Sequence, residues 1–250
     1  MDTVDAHAHL PPGAEAAARL LALMDRCAIA RAVVVPGGTV TPDVLSKQSA
    51  LGGGVDATPD NRRVRDAASR SNGRLVPFYF ANPHRSTEEY RREGAGYSGL
   101  KLGPAVHGVP FDDPRVRAFV GLAVDFAHPI YLHCLARPGF TVADVAALAL
   151  RYAHTPFILG HAAGGHCEFH ALDVVAPLSN LYVEMSGGFT SFVQAAVTRL
   201  GAHRVLFGSE YPLQDPRAEL AKIRCLDVPD ADLALLLGGN MTRLLASSHP

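Results

Sequence analysis

The chain has 250 residues, 48% of them hydrophobic and 19% charged, with a formal net charge of −1 at pH 7, which suits a folded protein with a sizeable core and excludes a disordered one. Nucleic acid is not an expected partner: the densest basic cluster, Asn61 to Arg65, lies between Asp60 and Asp66 without interleaved aromatics. Nor is a membrane, because Arg151 and His154 interrupt the most apolar stretch, 143–159, short of a spanning length.

Taken in chain order, the first apolar run lies at 4–8 within "TVDAHAHL". In a strand, residues i and i+2 share a face, so His7 and His9 would present two ring nitrogens side by side. On a helix the pair would diverge by about 200°. Further β-rich runs follow at 31–36, 74–81, 97–103, 129–134, 156–161, 180–186 and 203–209. Between them lie Ala- and Leu-rich segments with helical spacing, among them 13–28, 113–127 and 141–153. The last opens on Thr141 and Asp144, a capping arrangement. Eight strands alternating with about eight helices imply a parallel α/β sheet with right-handed crossovers. The length suits a single-domain (β/α)8 TIM barrel over 1–250, with a doubly wound open sheet as the alternative. One connection is long: 37–73 carries a helix at 61–71 and reads as a loop and helix covering a pocket, or else as disordered padding.

In a barrel, reactive groups sit at the carboxyl ends of the strands. The first run ends on His7 and His9, the fourth carries Lys101, the fifth His133, the sixth His161, and Glu210 follows the eighth. Glu184 lies inside the seventh. Four histidines and a carboxylate on matching strand ends point to a metal centre. "GAGYSG" at 94–99 matches a dinucleotide fingerprint in letters only, because it precedes a strand instead of opening a helix.

The motifs "DAHAHL", "GLKLGP", "YLHC", "LGHAAGG", "LYVEMSG", "RVLFGSEYP" and "GGNMTRLL", in this order from residue 4 to about 246, resemble the amidohydrolase superfamily. They are most similar to its amidohydrolase-related branch of hydrolases, lactonases and non-oxidative decarboxylases such as aminocarboxymuconate-semialdehyde decarboxylase. The resemblance implies a distorted (β/α)8 barrel and one divalent metal ion, commonly zinc. It implies His7, His9 and His133 as metal ligands and His161 as a contact of the metal-bound water or the substrate. Glu210 stands where the pattern usually has an aspartate that binds the metal and shuttles protons. The extra methylene moves the carboxylate by about 1.5 Å, so Glu210 either ligates the metal directly or holds the water from further away.

Zinc held by neutral imidazoles brings the pKa of its water to about 7. Glu210 would accept that proton and return it to a leaving group, with His161 at the developing oxyanion. The expected activity is therefore metal-dependent hydrolysis of a small cyclic or carboxylated substrate, of amide or lactone type. The alternatives are a non-oxidative decarboxylase on the same centre and a catalytically degenerate barrel that binds a small molecule. Lys101 reads as a counter-charge to Glu210 or to an anionic substrate, or else as a structural lysine. Arg85, His107 and His166 are candidates for contacting the substrate, with surface or capping roles as their alternative. The four cysteines (Cys27, Cys134, Cys167 and Cys225) form no CxxC pair and no secretory pattern opens the chain, so a cytoplasmic setting is expected. A small-molecule substrate is the expected partner, and a homo-oligomer is left open.

Overall fold

The computed structural model describes residues 2–164 and 168–247. Each of the eight apolar runs contains a strand. β1 (Thr3–Leu10) and β2 (Ile29–Pro36) are the long ones. The third run is broken into β3 (Leu75–Pro77) and β4 (Tyr79–Phe80). Pro77 offers no N–H to a ladder, and the chain changes partner there. Phe78 N–H donates to Val34 O at 3.0 Å, while Tyr79 N–H donates to Gly99 O at 2.8 Å. Next come β5 (Leu100–Leu102), β6 (Ile130–Leu132), β7 (Phe157–Leu159), β8 (Leu181–Glu184) and β9 (Val205–Leu206).

The strands pair in parallel and in sequence order, β1 to β3 in one set and β4 to β9 in the other. The seam is closed by the residues after β9. Ala6 N–H donates to Phe207 O at 2.9 Å, Glu210 N–H to His7 O at 2.9 Å and His9 N–H to Tyr211 O at 2.7 Å. Ala8 and Tyr211 form a parallel bridge. The sheet is thus a (β/α)8 barrel, and the open-sheet alternative does not apply.

The helices obey the spacing of their apolar faces. α1 (Ala16–Cys27) buries Ala16, Leu20, Met24 and Cys27. α2 (Pro42–Leu51) starts at an N-cap, Thr41, whose side chain accepts from Val44 N–H, and it has proline in its first turn. α3 (Asn61–Ser69) is pinned to β4 by Asn61, which donates to Phe80 O at 2.9 Å and accepts from Phe80 N–H at 2.7 Å. α4 (Glu88–Glu93), α5 (Pro104–His107) and α6 (Pro114–Asp125) lie between β4 and β6. α7 (Val142–Arg151) starts on the expected Thr141–Asp144 capping box. α8 (Phe169–Val175), α9 (Thr190–Leu200), α10 (Pro216–Arg224), α11 (Asp230–Ala234) and α12 (Asn240–Ala246) complete the set. The 37–73 segment is not one loop and one helix: it holds both α2 and α3. Among the described residues, no helix is long and apolar enough to cross a membrane.

Two apolar layers result. The larger packs the outer strand faces against the helices. The smaller fills the barrel with Val4, Ala6, Val33, Val35, Phe78, Tyr131, Ile158 and Leu206, and α12 seals one end with Met241, Leu244 and Leu245. A π turn at Leu235–Gly239 leads into α12 and runs against the start of β1. A Cβ on Gly238 would lie 2.1 Å from Asp2 O and 2.9 Å from Val4 N. Overpacking of this kind costs about 1–3 kcal/mol. Gly238→Ala is therefore expected to lower the thermal midpoint by several degrees in a calorimetric scan. An unchanged midpoint would contradict the close approach.

Candidate metal centre

The opening histidine pair reaches the barrel interior through an irregularity. On β1, Asp5 pairs with Ala32 and Ala8 with Val34, so three residues advance where the partner advances two. Such a bulge reverses the strand's alternation. Val4 and Ala6 belong to the inner apolar cluster, and His7 then stacks on Tyr131 with ring centroids 4.1 Å apart. Asp5 holds the bulge, accepting from His7 N–H at 3.0 Å and Ser209 N–H at 2.9 Å. Burial pushes the Asp5 carboxyl up to about 7, against those hydrogen bonds.

Glu210 sits four residues past β9 in a left-handed conformation, φ 53°, and His161 sits two past β7 with φ 57°. Non-glycine residues occupy this region at a cost of about 1–3 kcal/mol and cluster at functional sites. Both are held by their own N–H: Glu210 to His7 O at 2.9 Å, His161 to Glu184 Oε2 at 3.1 Å.

These backbone ties bring the side chains together. Glu210 Oε2 lies 3.1 Å from His7 Nε2 and 3.4 Å from His161 Nδ1, and Glu210 Oε1 lies 3.4 Å from His9 Nε2. Ligand atoms of His7, His161 and Glu210 all fall within 4.8 Å of one another, the one such group of three or more among the described residues. His133 is adjacent, its ring edge-on to His161 with centroids 4.8 Å apart. Lys101, buried within β5, places Nζ 3.4 Å from His7 Nε2 and 3.9 Å from the Tyr131 ring centroid. His9, Lys101, His133, His161, Ser186 and Glu210 all line one cavity of about 490 Å³.

The charge states follow from burial. It lowers His7 to about 3 and His133 to about 4, with Lys101 adding to the effect in each, and it takes His161 well below the usual imidazole value. Burial thus favours neutral rings with lone pairs to coordinate, against the pull of Glu210, which favours a proton held among them. Burial opposes ionisation of Glu210, but the surrounding imidazoles, led by His161, outweigh it and hold the carboxylate well below its usual range. Burial lowers Lys101 to about 8, so it is mostly cationic at neutral pH.

Behind the site lies a second carboxylate. Glu184 is fully buried and accepts from Tyr131 Oη–H at 2.7 Å, Ser186 N–H at 2.5 Å, Ser186 Oγ–H at 2.9 Å and His161 N–H. Because the Ser186 hydroxyl proton is directed to Glu184, its oxygen is free to accept from His161 Nδ1, 3.0 Å away. That arrangement fixes the His161 ring. Sequence reading noted Glu184 but missed its role, along with Tyr131 and Ser186. The available signal was the i, i+2 spacing of Glu184 and Ser186, which puts them on one strand face.

Two of the sequence candidates stand elsewhere. Arg85 pairs with Asp56 at 3.0 Å on the surface, away from this cavity. His107 is buried with Nε2 3.0 Å from Ala57 O, anchoring the 52–60 connection instead of facing a ligand. His166 lies outside the described residues.

A sequence profile of the amidohydrolase family Amidohydro_2 matches residues 4–246. The chain belongs to the amidohydrolase family. No curated protein matches it. This amidohydrolase shares its fold with a 2,6-dihydroxybenzoate decarboxylase from Rhizobium, at 19% identity and TM-score 0.69 over 98% of this chain and 99% of that one. The fold is also that of a 5-carboxyvanillate decarboxylase from Novosphingobium aromaticivorans, complexed with manganese and 4-hydroxy-3-methoxy-5-nitrobenzoic acid. The identity there is 14% and the TM-score 0.72, over 98% and 96% of the two chains. A probable 2-pyrone-4,6-dicarboxylic acid hydrolase from Acinetobacter baumannii matches at 15% identity and TM-score 0.72, over 98% and 100%.

Removing Glu184 would orphan the Tyr131 hydroxyl and two backbone N–H groups, each at about 1–3 kcal/mol. Glu184→Ala is expected to lower the unfolding free energy by at least about 3 kcal/mol in urea titration. A loss below about 1 kcal/mol would mean that the network does not hold the site.

Proposed function

We propose that this amidohydrolase is a metal-dependent hydrolase of a small carbonyl substrate, and that the observation carrying this reading is the convergence of the Glu210 carboxylate with ring nitrogens of His7, His9 and His161 beside one cavity. The donor set fits a divalent cation. Glu210 Oε2 is buried with His7 and His161 nitrogens close by, yet it makes no well-formed hydrogen bond, and His7 Nδ1 is likewise without one. Convergent nitrogens around an unsatisfied carboxylate oxygen are what a shared cation would reconcile.

The ligands are inferred to be His7, His9, His133 and Glu210, with His161 at their edge because Ser186 engages its Nδ1. Nitrogen-rich donors of this kind suit zinc, and the manganese bound by the carboxyvanillate decarboxylase makes manganese the second candidate. When bound, such an ion supplies Lewis acidity towards a carbonyl oxygen and makes a water more acidic. Glu210 is the group that takes the proton from the attacking water and gives it to the departing atom, a role that requires it to be ionised at rest. His161, its Nδ1–H engaged by Ser186, presents a bare Nε2 that accepts from the attacking water and so orients it. Lys101 balances one negative charge. The 37–73 segment is the cover, with Leu45 and Ser49 of α2 lining the cavity.

A second reading, non-oxidative decarboxylation, draws support from the dihydroxybenzoate and carboxyvanillate decarboxylases that share the fold. Product analysis separates the two. Zinc-loaded protein offered lactones, amides and hydroxybenzoic acids is expected to release free acid from the first two classes. Carbon dioxide evolved from the third class alone would overturn hydrolysis in favour of the decarboxylase.

Glu210→Gln is expected to cut turnover by about 10²–10⁴-fold, the usual worth of a general acid–base, and full activity would remove the carboxylate from the mechanism. The buried imidazoles set a pH dependence of metal uptake. A ligand must be deprotonated to coordinate. With His7 at about 3 and His133 at about 4, protons compete at these two ligands only as the pH falls towards 4. Zinc affinity, measured against a chelator of known pH response, is therefore expected to fall between pH 7 and pH 5 by no more than the roughly 25-fold that a single ordinary imidazole near 6.5 gives. A loss of several hundredfold, as for two or more such imidazoles, would contradict the assignment.

A further inference from the structure

The cavity at the metal centre opens into a second lobe of about 250 Å³, and His9, Phe80, Val106 and Glu210 line both. The chemistry of this lobe differs from that of the first. Five of its lining residues are prolines, namely Pro11, Pro12, Pro36, Pro42 and Pro212. Proline has no N–H, so this wall offers a ligand no backbone donor at those positions. Acceptors are withdrawn as well. The Arg63 guanidinium takes up the carbonyls of Pro11, of Leu10 at 3.0 Å and of Gly37 at 3.4 Å, spending its own donors in doing so. Val40, Leu45 and Leu213 add apolar surface. Among the described residues, no Lys or Arg lines the lobe, and in the adjoining cavity Lys101 is the one such residue. Beyond His9 and Glu210, which the lobe shares with the first cavity, its polar side chain is that of Thr39, whose Oγ1 is buried without a hydrogen-bond partner.

We infer that the substrate is amphiphilic: its reacting carbonyl lies beside Glu210, and an aryl or short alkyl group, carrying at most one hydrogen-bonding substituent near Thr39, fills the proline-walled lobe. This deepens the proposed hydrolase reading and rests on it for the placement of the carbonyl. A dry apolar cavity of about 150 Å³ holds benzene, so the lobe has room for a substituted ring or a chain of comparable bulk. A polyhydroxylated or multiply charged substrate would lose its hydration there with nothing in exchange. The lobe is shaped mainly by α2, by the turns after β1 and β2 and by the Pro212–Leu213 turn, with Phe80 and Val106 completing its wall, so these segments select the substrate.

Straight-chain carboxylates, as mimics of the acyl product, test this directly. Zinc-loaded protein is titrated calorimetrically with acetate, butanoate and hexanoate. Each buried methylene is worth about fourfold in affinity, so hexanoate is expected to bind at least tenfold more tightly than acetate. Val40→Trp, which fills the lobe, and Leu213→Asp, at a position that is 56% exposed and so tolerant of substitution, are each expected to bring that ratio below threefold. Acetate and hexanoate binding within threefold of each other in the unaltered protein would overturn the inference. So would a ratio that both variants leave untouched. A chain-length gain that persists in metal-free His7→Ala supports the lobe and counts only against the metal reading.

Discussion

One backbone contact ties the architecture to the chemistry. The Glu210 N–H bonds to the His7 carbonyl at 2.9 Å, and this bond belongs both to the seam that closes the barrel and to the site itself. Because closure joins the start of the chain to its last strand end, the carboxylate reaches the two imidazoles of β1 whatever the intervening loops do. The left-handed backbone at Glu210 is the strain this juncture holds. Asp5 reinforces it by bonding both sides of the seam, at His7 N–H and Ser209 N–H.

The charged groups are arranged in two tiers. Nearest the cavity, the imidazoles face the Glu210 carboxylate and Lys101. Behind them, Glu184 gathers donors from Tyr131, Ser186 and the His161 backbone, and so converts strand geometry into a fixed ring orientation. A buried carboxylate with four donors is costly to leave half-satisfied, which makes Glu184 a structural fastener placed directly beneath the functional layer.

Much of this was legible in the sequence, for definite reasons. Short β-branched runs separated by amphipathic segments can bury their faces in few ways, so a parallel α/β sheet followed from alternation, while its closure into a barrel rests on the seam bonds between β1 and the residues after β9. Histidines and Glu210 recurring at strand ends carried the site. What the sequence concealed was geometric. Period-two reasoning put His7 and His9 together but could not show that a bulge after Asp5 turns them inward past Val4 and Ala6. The long 37–73 connection masked α2, although Thr41-Pro42 is a clear start signal and Gly52 a clear stop. Arg85 and His107 had the right chemistry for a substrate contact, but tertiary partners, Asp56 and the Ala57 carbonyl, claim them.

The central claim is that side chains from the first and last strand ends converge on one divalent cation. Anomalous diffraction from zinc-soaked crystals, with data on both sides of the zinc absorption edge, addresses it most directly. The account predicts a single peak in contact with His7, His9 and Glu210. A density map with no peak there, or with zinc bound only at surface histidines, would contradict it.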